Sequence, residues 1–383
     1  MKKNLMKRLA AATLAGAMVL SMNGMAWATE GKTVTGTATA TIQKVLKKPA
    51  EVYAPKTDFE FDITYAPDMS DIGSALTDME LKDAQEAINM DDTGATKDKK
   101  INSTPSADDL NKTEIAYAEK IELKADVSKF HHPGVYRYKV TEKVGTYEGI
   151  TYDSSEKYFE VRVVYGENDT LKILTQMFLE KNTKDNKWEK NDGIFINEYG
   201  VGEASGKLAD LEVKKLVTGN IADRNKDYEF TISIDNTTGK KYSYKLGTED
   251  GLKEVTDNKI TISLKHNDTV TIYGLSKSDK YTVAEKDYAG EGYKTSYVID
   301  DGPDGNAPIE SEKDRHSITT GEQSLMTDVE NVKDTNVTFT NEKNADNPAT
   351  GIITTFAPYI LLIAAAGVFA VLFLHKKRND DEY

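Results

Sequence analysis

The chain has no cysteine among its 383 residues, so neither a disulfide nor a thiolate contributes to its stability or its chemistry. It has only nine prolines, and no helical heptads run through its middle. No G-x-x-x-x-G-K-S/T, G-x-S-x-G or H-E-x-x-H string occurs, which leaves no visible enzyme of an external substrate. An excess of positive charge is also missing: 63 acidic residues stand against 49 basic ones, a formal net charge of −14. Such a surface argues against nucleic acid and against anionic membranes as partners. No metal and no cofactor is expected. His131 and His132 are adjacent, so on a strand they would point to opposite sides, with no third histidine near. The loop from Asp300 has Gly302 where a calcium ligand should stand and Ser311 where the bidentate glutamate should.

What is present begins at the two ends. Lys2, Lys3, Lys7 and Arg8 precede an apolar run from Leu9 to Leu20 and a small-x-small site at Ala26-Trp27-Ala28, the layout of a signal peptide over residues 1–28. At the other end, Ile352 to Leu374 is apolar and about 34 Å long as a helix, enough to cross a bilayer. His375-Lys376-Lys377-Arg378 follows, a basic tail held on the cytoplasmic side. A plain anchor explains the span and the charges. It does not explain Asn347-Pro348-Ala349-Thr350-Gly351 immediately before them. This arrangement resembles the cell-wall sorting signal of Gram-positive surface proteins, with Asn347 where leucine is usual. The resemblance implies that a sortase thiol attacks the Thr350 carbonyl, expels the segment from Gly351 onward, and passes the acyl group to peptidoglycan or to a lysine of another subunit.

Between the ends the sequence repeats. "TATIQKVLKKPAEVYAPKTDFEFDIT" from Thr39 corresponds to "ADLEVKKLVTGNIADRNKDYEFTIS" from Ala209, each a strand, a turn-rich gap and a strand built on D-F/Y-E-F. "GVYRYKVTEKVGTYEGITY" corresponds to "DKYTVAEKDYAGEGYKTSY", and the copies close on "GIFINE" and "VTFTNE". Period-two alternation runs throughout. Two tandem β-sandwich domains follow, over 29–202 and 203–346, with 347–383 as the sorting signal and a linker at Glu203-Ala204-Ser205-Gly206. Residues 68–106 break the alternation with a helix-like "ALTDMELKDAQEAI", a helical or loop insertion in the first domain.

The alternation places charge on inward faces. Lys44 shares a face with Ile42 and Leu46, and Lys215 with Leu211, Val213 and Val217. Glu142 ends the row Tyr136, Tyr138, Val140; Glu285 ends Tyr281, Val283. Asn197 follows Phe195 inward, and Asn341 follows Val337 and Phe339. A buried Lys, Glu and Asn at matching places in two copies costs several kcal/mol unless the groups satisfy one another. Buried salt bridges, or surface strands of the opposite phase, are the plain reading. The chemical reading is sharper. Burial pushes a lysine toward the neutral amine and a glutamate toward the neutral acid. The amine can then attack the asparagine amide while the glutamic acid hydrogen-bonds the amide, polarises its carbonyl and carries the proton as ammonia leaves. Phe195, Tyr138, Phe339 and Tyr281 would supply the low dielectric.

The pattern of an inward lysine on the first strand (Lys44, Lys215), then Y-x-V-x-E, then F-x-N is similar to the isopeptide-linkage domains of streptococcal-type major pilins. The family's fold is a tandem pair of immunoglobulin-like (CnaB-type) sandwiches, each crosslinked between first and last strands. Carried over by motif, the crosslinks are Lys44–Asn197, with Glu142 catalytic, and Lys215–Asn341, with Glu285 catalytic. In the family's pili the acyl-threonine goes to a lysine seven residues before the first domain's asparagine. Here that is Lys190, with Lys187 the alternative, and the W-x-x-x-V-x-V-Y-P-K motif of other branches is absent. The resemblance implies an exported, wall-attached subunit of a covalent homopolymer. Its partners would be a sortase, peptidoglycan, minor tip and base pilins and a host surface. The rival expectations are a wall-anchored monomer and an adhesin using the same domains as a stalk.

Overall fold

The computed structural model describes residues 40–89, 100–201, 208–236, 239–247, 249–276, 278–300, 309–310, 315–319 and 334–345. The signal peptide, the linker, most of the Asp300 loop, the Asn347–Gly351 pentapeptide and the apolar span lie outside these residues. Among the described residues no helix is long and apolar enough to cross a membrane.

Alternating apolar residues fold each half into two facing sheets. In the first half, strand β1 (Ala40–Lys47) lies at the centre of one sheet, between β4 (Ile121–Ala125) and the parallel strand β9 (Ile194–Tyr199). The facing sheet runs in the order β8 (Trp188–Asn191), β7 (Leu171–Lys181), β6 (Lys157–Tyr165), β5 (Gly134–Glu142), β2 (Thr57–Tyr65), β3 (Lys100–Ser103). Every second residue of β2 and β5 is buried, so Phe59, Phe61, Tyr136, Tyr138 and Val140 close one side of the core.

The second half repeats the plan. Strand β10 (Ala209–Thr218) pairs in parallel with β17 (Thr335–Glu342), flanked by β16 (Lys294–Asp300) and by β14 (Thr269–Leu275), which β12 (Ser243–Leu246) pairs in turn. Across the core lie β13 (Lys259–Leu264), β11 (Tyr228–Asp235) and β15 (Lys280–Glu285). A parallel pair made of a domain's first and last strands cannot close through a hairpin, so the whole domain is the connection.

The insertion carries helix α1 (Asp78–Glu86), started by a capping box between Thr77 and Glu80. Its Ala84 and the following Ala87 are buried, and Tyr138 Oη donates to the Ala84 carbonyl at 2.7 Å. The two adjacent histidines also hold this helix: His131 meets Asp83 at 2.9 Å and His132 meets Glu80 at 3.2 Å.

A polar seam joins the two halves. Ser243 donates to the Glu51 carbonyl, and Glu148 accepts from both the backbone and the hydroxyl of Ser278, the latter at 2.7 Å. Lys240, buried against Asp279 and Ser276, lies over the Tyr147 ring. Gly274, at φ +85°, lets Val52 approach within 3.1 Å of where a side chain would begin.

Candidate functional site

The same strand register builds both sites. Lys44 pairs with Phe195 and Leu46 with Asn197, while Lys215 pairs with Phe339 and Val217 with Asn341. Each asparagine therefore stands two residues beyond its lysine's partner on the neighbouring parallel strand, on the same inward face. Each glutamate reaches in from the opposite sheet, at the end of β5 or β15. Lys44, Asn197, Lys215 and Asn341 are essentially sealed from solvent, and Glu142 and Glu285 are buried. The six residues singled out for charge on an inward face are thus brought together, three by three.

In the first site Lys44 Nζ lies 2.6 Å from Glu142 Oε2, and Asn197 Nδ2 donates to Glu142 Oε1 at 2.7 Å. Both carboxyl oxygens are engaged. In the second, Lys215 Nζ at 2.7 Å and Asn341 Nδ2 at 3.0 Å converge on the single oxygen Oε1 of Glu285. The lysine is ion-paired through that one oxygen, and Glu285 Oε2 is left without a hydrogen-bond partner. Desolvation dominates the electrostatics of both sites. It lowers Lys44 and Lys215 to about 8, against the opposing pull of Glu142 and Glu285, and raises both glutamates above the usual carboxylate range.

The ring over each lysine comes from the D-F/Y-E-F strand. Phe59 lies 4.9 Å from Lys44 Nζ, and Tyr228 lies 4.6 Å from Lys215 Nζ with Phe230 beyond it. Tyr138, Phe195, Phe339 and Tyr281 are all buried as well; Phe59 and Tyr228, over the amines, were not singled out from the sequence, although the repeated motif was the available signal. The glutamate also sits differently from expectation. In both sites it takes the amide nitrogen, the leaving group, and the carbonyl oxygen has another donor. Asn197 Oδ1 accepts from the Asp153 backbone at 2.7 Å, and Asn341 Oδ1 accepts from the Thr295 hydroxyl at 2.8 Å. Neither residue was singled out from the sequence.

Lys190 is exposed on β8, an edge strand, and Lys187 is exposed and ion-paired with Asp185 at 3.0 Å. Among the described residues no group of three or more His, Cys, Asp or Glu is placed to hold a metal.

Residues 40–200 match a family described as Spy0128-like isopeptide containing domain, and residues 209–343 match a domain of unknown function. The chain is 28% identical over 361 residues to a protein named Pilin from Streptococcus pyogenes serotype M1, covering 91% of this chain and 93% of that one. It is 32% identical over 108 residues to the pilus tip adhesin Cpa of Streptococcus pyogenes, covering 28% of this chain and 16% of the adhesin. In fold it is similar to the crystal structure of the major pilin from Streptococcus pyogenes, with a TM-score of 0.56 and 22% identity over 81% of this chain and all of that one.

Proposed function

We propose, for a chain related to the streptococcal pilins through its motifs, its first domain and its tandem immunoglobulin-like fold, that it is the backbone subunit of a surface pilus stiffened by two self-formed Lys–Asn bonds. The observation that carries this reading is the pair of buried triads, each setting an amine and an amide around one glutamate. With the lysine neutral and the glutamic acid protonated, Nζ adds to the asparagine Cγ. The carboxyl group relays a proton to the amide nitrogen, and ammonia departs as the isopeptide forms. Glu142 serves Lys44 and Asn197; Glu285 serves Lys215 and Asn341.

Export and anchoring complete the reading. The tail would hold the secreted chain until a sortase cuts between Thr350 and Gly351, and the acyl-threonine would then pass to a lysine of the next subunit or to peptidoglycan. Lys190 is favoured over Lys187 because its amine is exposed on a strand edge while that of Lys187 is paired with Asp185. The likeness to the tip adhesin is confined to a small part of that protein, so it supports a shared module and not a shared role.

An SDS gel of wall extract from cells making the full chain with its sortase tests polymerisation. A ladder of high-mass species that disappears with Lys190→Ala and persists with Lys187→Ala is expected. A single band from the unaltered chain would indicate a wall-anchored monomer.

A further inference from the structure

Each amide presents two atoms to the reaction, and the glutamate occupies only one. When Nζ adds to Cγ, the carbonyl π pair moves onto Oδ1. This negative charge develops in a core where Asn341 and Thr295 are both fully buried. A carboxyl group bound at Nδ2 is placed to deliver a proton to the leaving nitrogen and does not meet that oxygen. Thr295 Oγ does meet it, at 2.8 Å.

The strand layout explains how the hydroxyl arrives there. Strand β16 pairs with β17 along its whole length, from Lys294 opposite Glu342 to Asp300 opposite Asn336, and this register sets Thr295 directly across from Asn341. The first site lacks such a strand. The segment beside β9 is only Ile150–Thr151, and it stops opposite Glu198. The chain then turns, and the Asp153 carboxylate clamps the turn by accepting from the backbone of Ser155 at 2.8 Å and of Ile196 at 2.7 Å. That clamp aims the Asp153 N–H at Asn197 Oδ1. Two unrelated local structures bring a donor to the same atom.

We infer that Thr295 is a catalytic residue of the second crosslink, an oxyanion donor whose counterpart in the first is the Asp153 N–H. The inference rests on Lys215, Glu285 and Asn341 being a crosslinking triad. The hydroxyl stabilises the tetrahedral adduct without giving up its proton. On collapse the C–N bond to the old amide nitrogen breaks, ammonia takes the proton relayed by Glu285, and Oδ1 becomes the carbonyl oxygen of the Lys215–Asn341 amide. Thr295 emerges unchanged and still donating. A preorganised donor of this kind is worth about a hundredfold in rate when removed from a water-excluded site.

The test follows newly translated full chain over time by peptide mass, scoring the loss of ammonia separately at each site. Thr295→Val keeps the side chain's shape and removes the donor; Thr295→Ser keeps the donor and trims the shape. About a hundredfold slower bond formation at Asn341 in the valine variant, near-normal formation in the serine variant, and an unchanged rate at Asn197 are expected. Equal rates for unaltered chain and Thr295→Val overturn the inference. So does equal slowing by both variants, which would assign Thr295 to packing. The bond at Asn197 reports in the same sample that the first domain has folded, and calorimetry of the Thr295→Val chain reports the same for the second. Absence of ammonia loss at Asn341 in the unaltered chain would instead refute the crosslinking triad itself.

Discussion

The two sites use the same three side chains in the same register under a ring from the same repeated strand, and they differ in how the glutamate and the asparagine oxygen are partnered. The first is satisfied: both oxygens of Glu142 are engaged, a loop amide holds the carbonyl, and Lys157 adds a second cation near Lys44. The second is less fully satisfied: the Lys215 amine and the Asn341 amide share Glu285 Oε1, while Oε2 has no hydrogen-bond partner. A buried polar group left unpaired costs about 1–3 kcal/mol. The unpaired Glu285 Oε2 is the one such group in the second triad, and the first has none. What stays constant is the position of amine, amide and acid; what drifts is how the oxygen is held and how fully the glutamate is partnered. The chemistry constrains the first set and tolerates the second.

Heat should erase the difference between the sites. The loops closed by the two bonds, Lys44 to Asn197 and Lys215 to Asn341, are similar in length, and chain entropy gives each closure about 5 kcal/mol. Glu142→Ala and Glu285→Ala should each abolish one bond, restore about 17 Da of the roughly 34 Da lost as ammonia, and lower the melting of the affected domain by roughly 20 °C. Calorimetry with intact mass spectrometry checks this; one variant restoring both increments of mass would mean that the sites share a catalyst.

Force should bring the difference back. With load entering at Lys190 and leaving near Thr350, tension reaches Lys215 through Asn197 and crosses directly to Asn341. The second domain's long loop is bypassed, and Lys44 hangs beside the line. Single-molecule pulling on Glu285→Ala should release on the order of 400 Å of extra chain, and on Glu142→Ala little. Equal extension from the two variants would place the load at a lysine other than Lys190.

Acidity gives the smallest separation. The reacting pair, neutral lysine with protonated glutamate, carries the same number of protons as the ion pair. Its share is therefore constant between the raised glutamate pKa and the lysine value of about 8. Below that window both groups are protonated, above it neither is, and the rate should fall by about tenfold per pH unit on either side. Time courses on newly translated chain at a series of pH values would show a plateau for each site. Lys157 lowers the amine's pKa at the first site and has no such counterpart among the influences on Lys215. Lys157→Met should therefore extend only the first plateau, by less than a unit. Movement of the second site's plateau as well would mean that the sites are coupled.

The sheets and the triads were legible because alternation is a local signal and both copies carried it. Lys44 and Lys215 sit among apolar neighbours two residues away on either side, so the strand alone sets their direction. Thr295 was not legible, since its meaning comes from standing opposite Asn341 across a pairing of distant strands. Asp153 was less so: it acts through a backbone N–H that every residue but proline possesses. The rings over the lysines lay between these cases, visible as the repeated D-F/Y-E-F but without a stated partner. His131 and His132, read as part of a loop, grip helix α1, a contact that depends on where the insertion docks.

The seam between the halves bears on the length scale of a filament. A chain of beads bends at every joint, and its persistence is set by the softest one. In a tandem protein the softest joint is ordinarily the link between domains. Here that joint is seated: Val52 against the bare Gly274, Glu148 capping Ser278, Ser243 on the Glu51 carbonyl, and Lys240 laid on Tyr147. Two beads so joined act as one segment. A fibre of such subunits would have one compliant joint per monomer, at the Thr350 attachment, instead of two. It would hold its direction over more subunits, and its thermal wandering would report on the sortase-made joint alone.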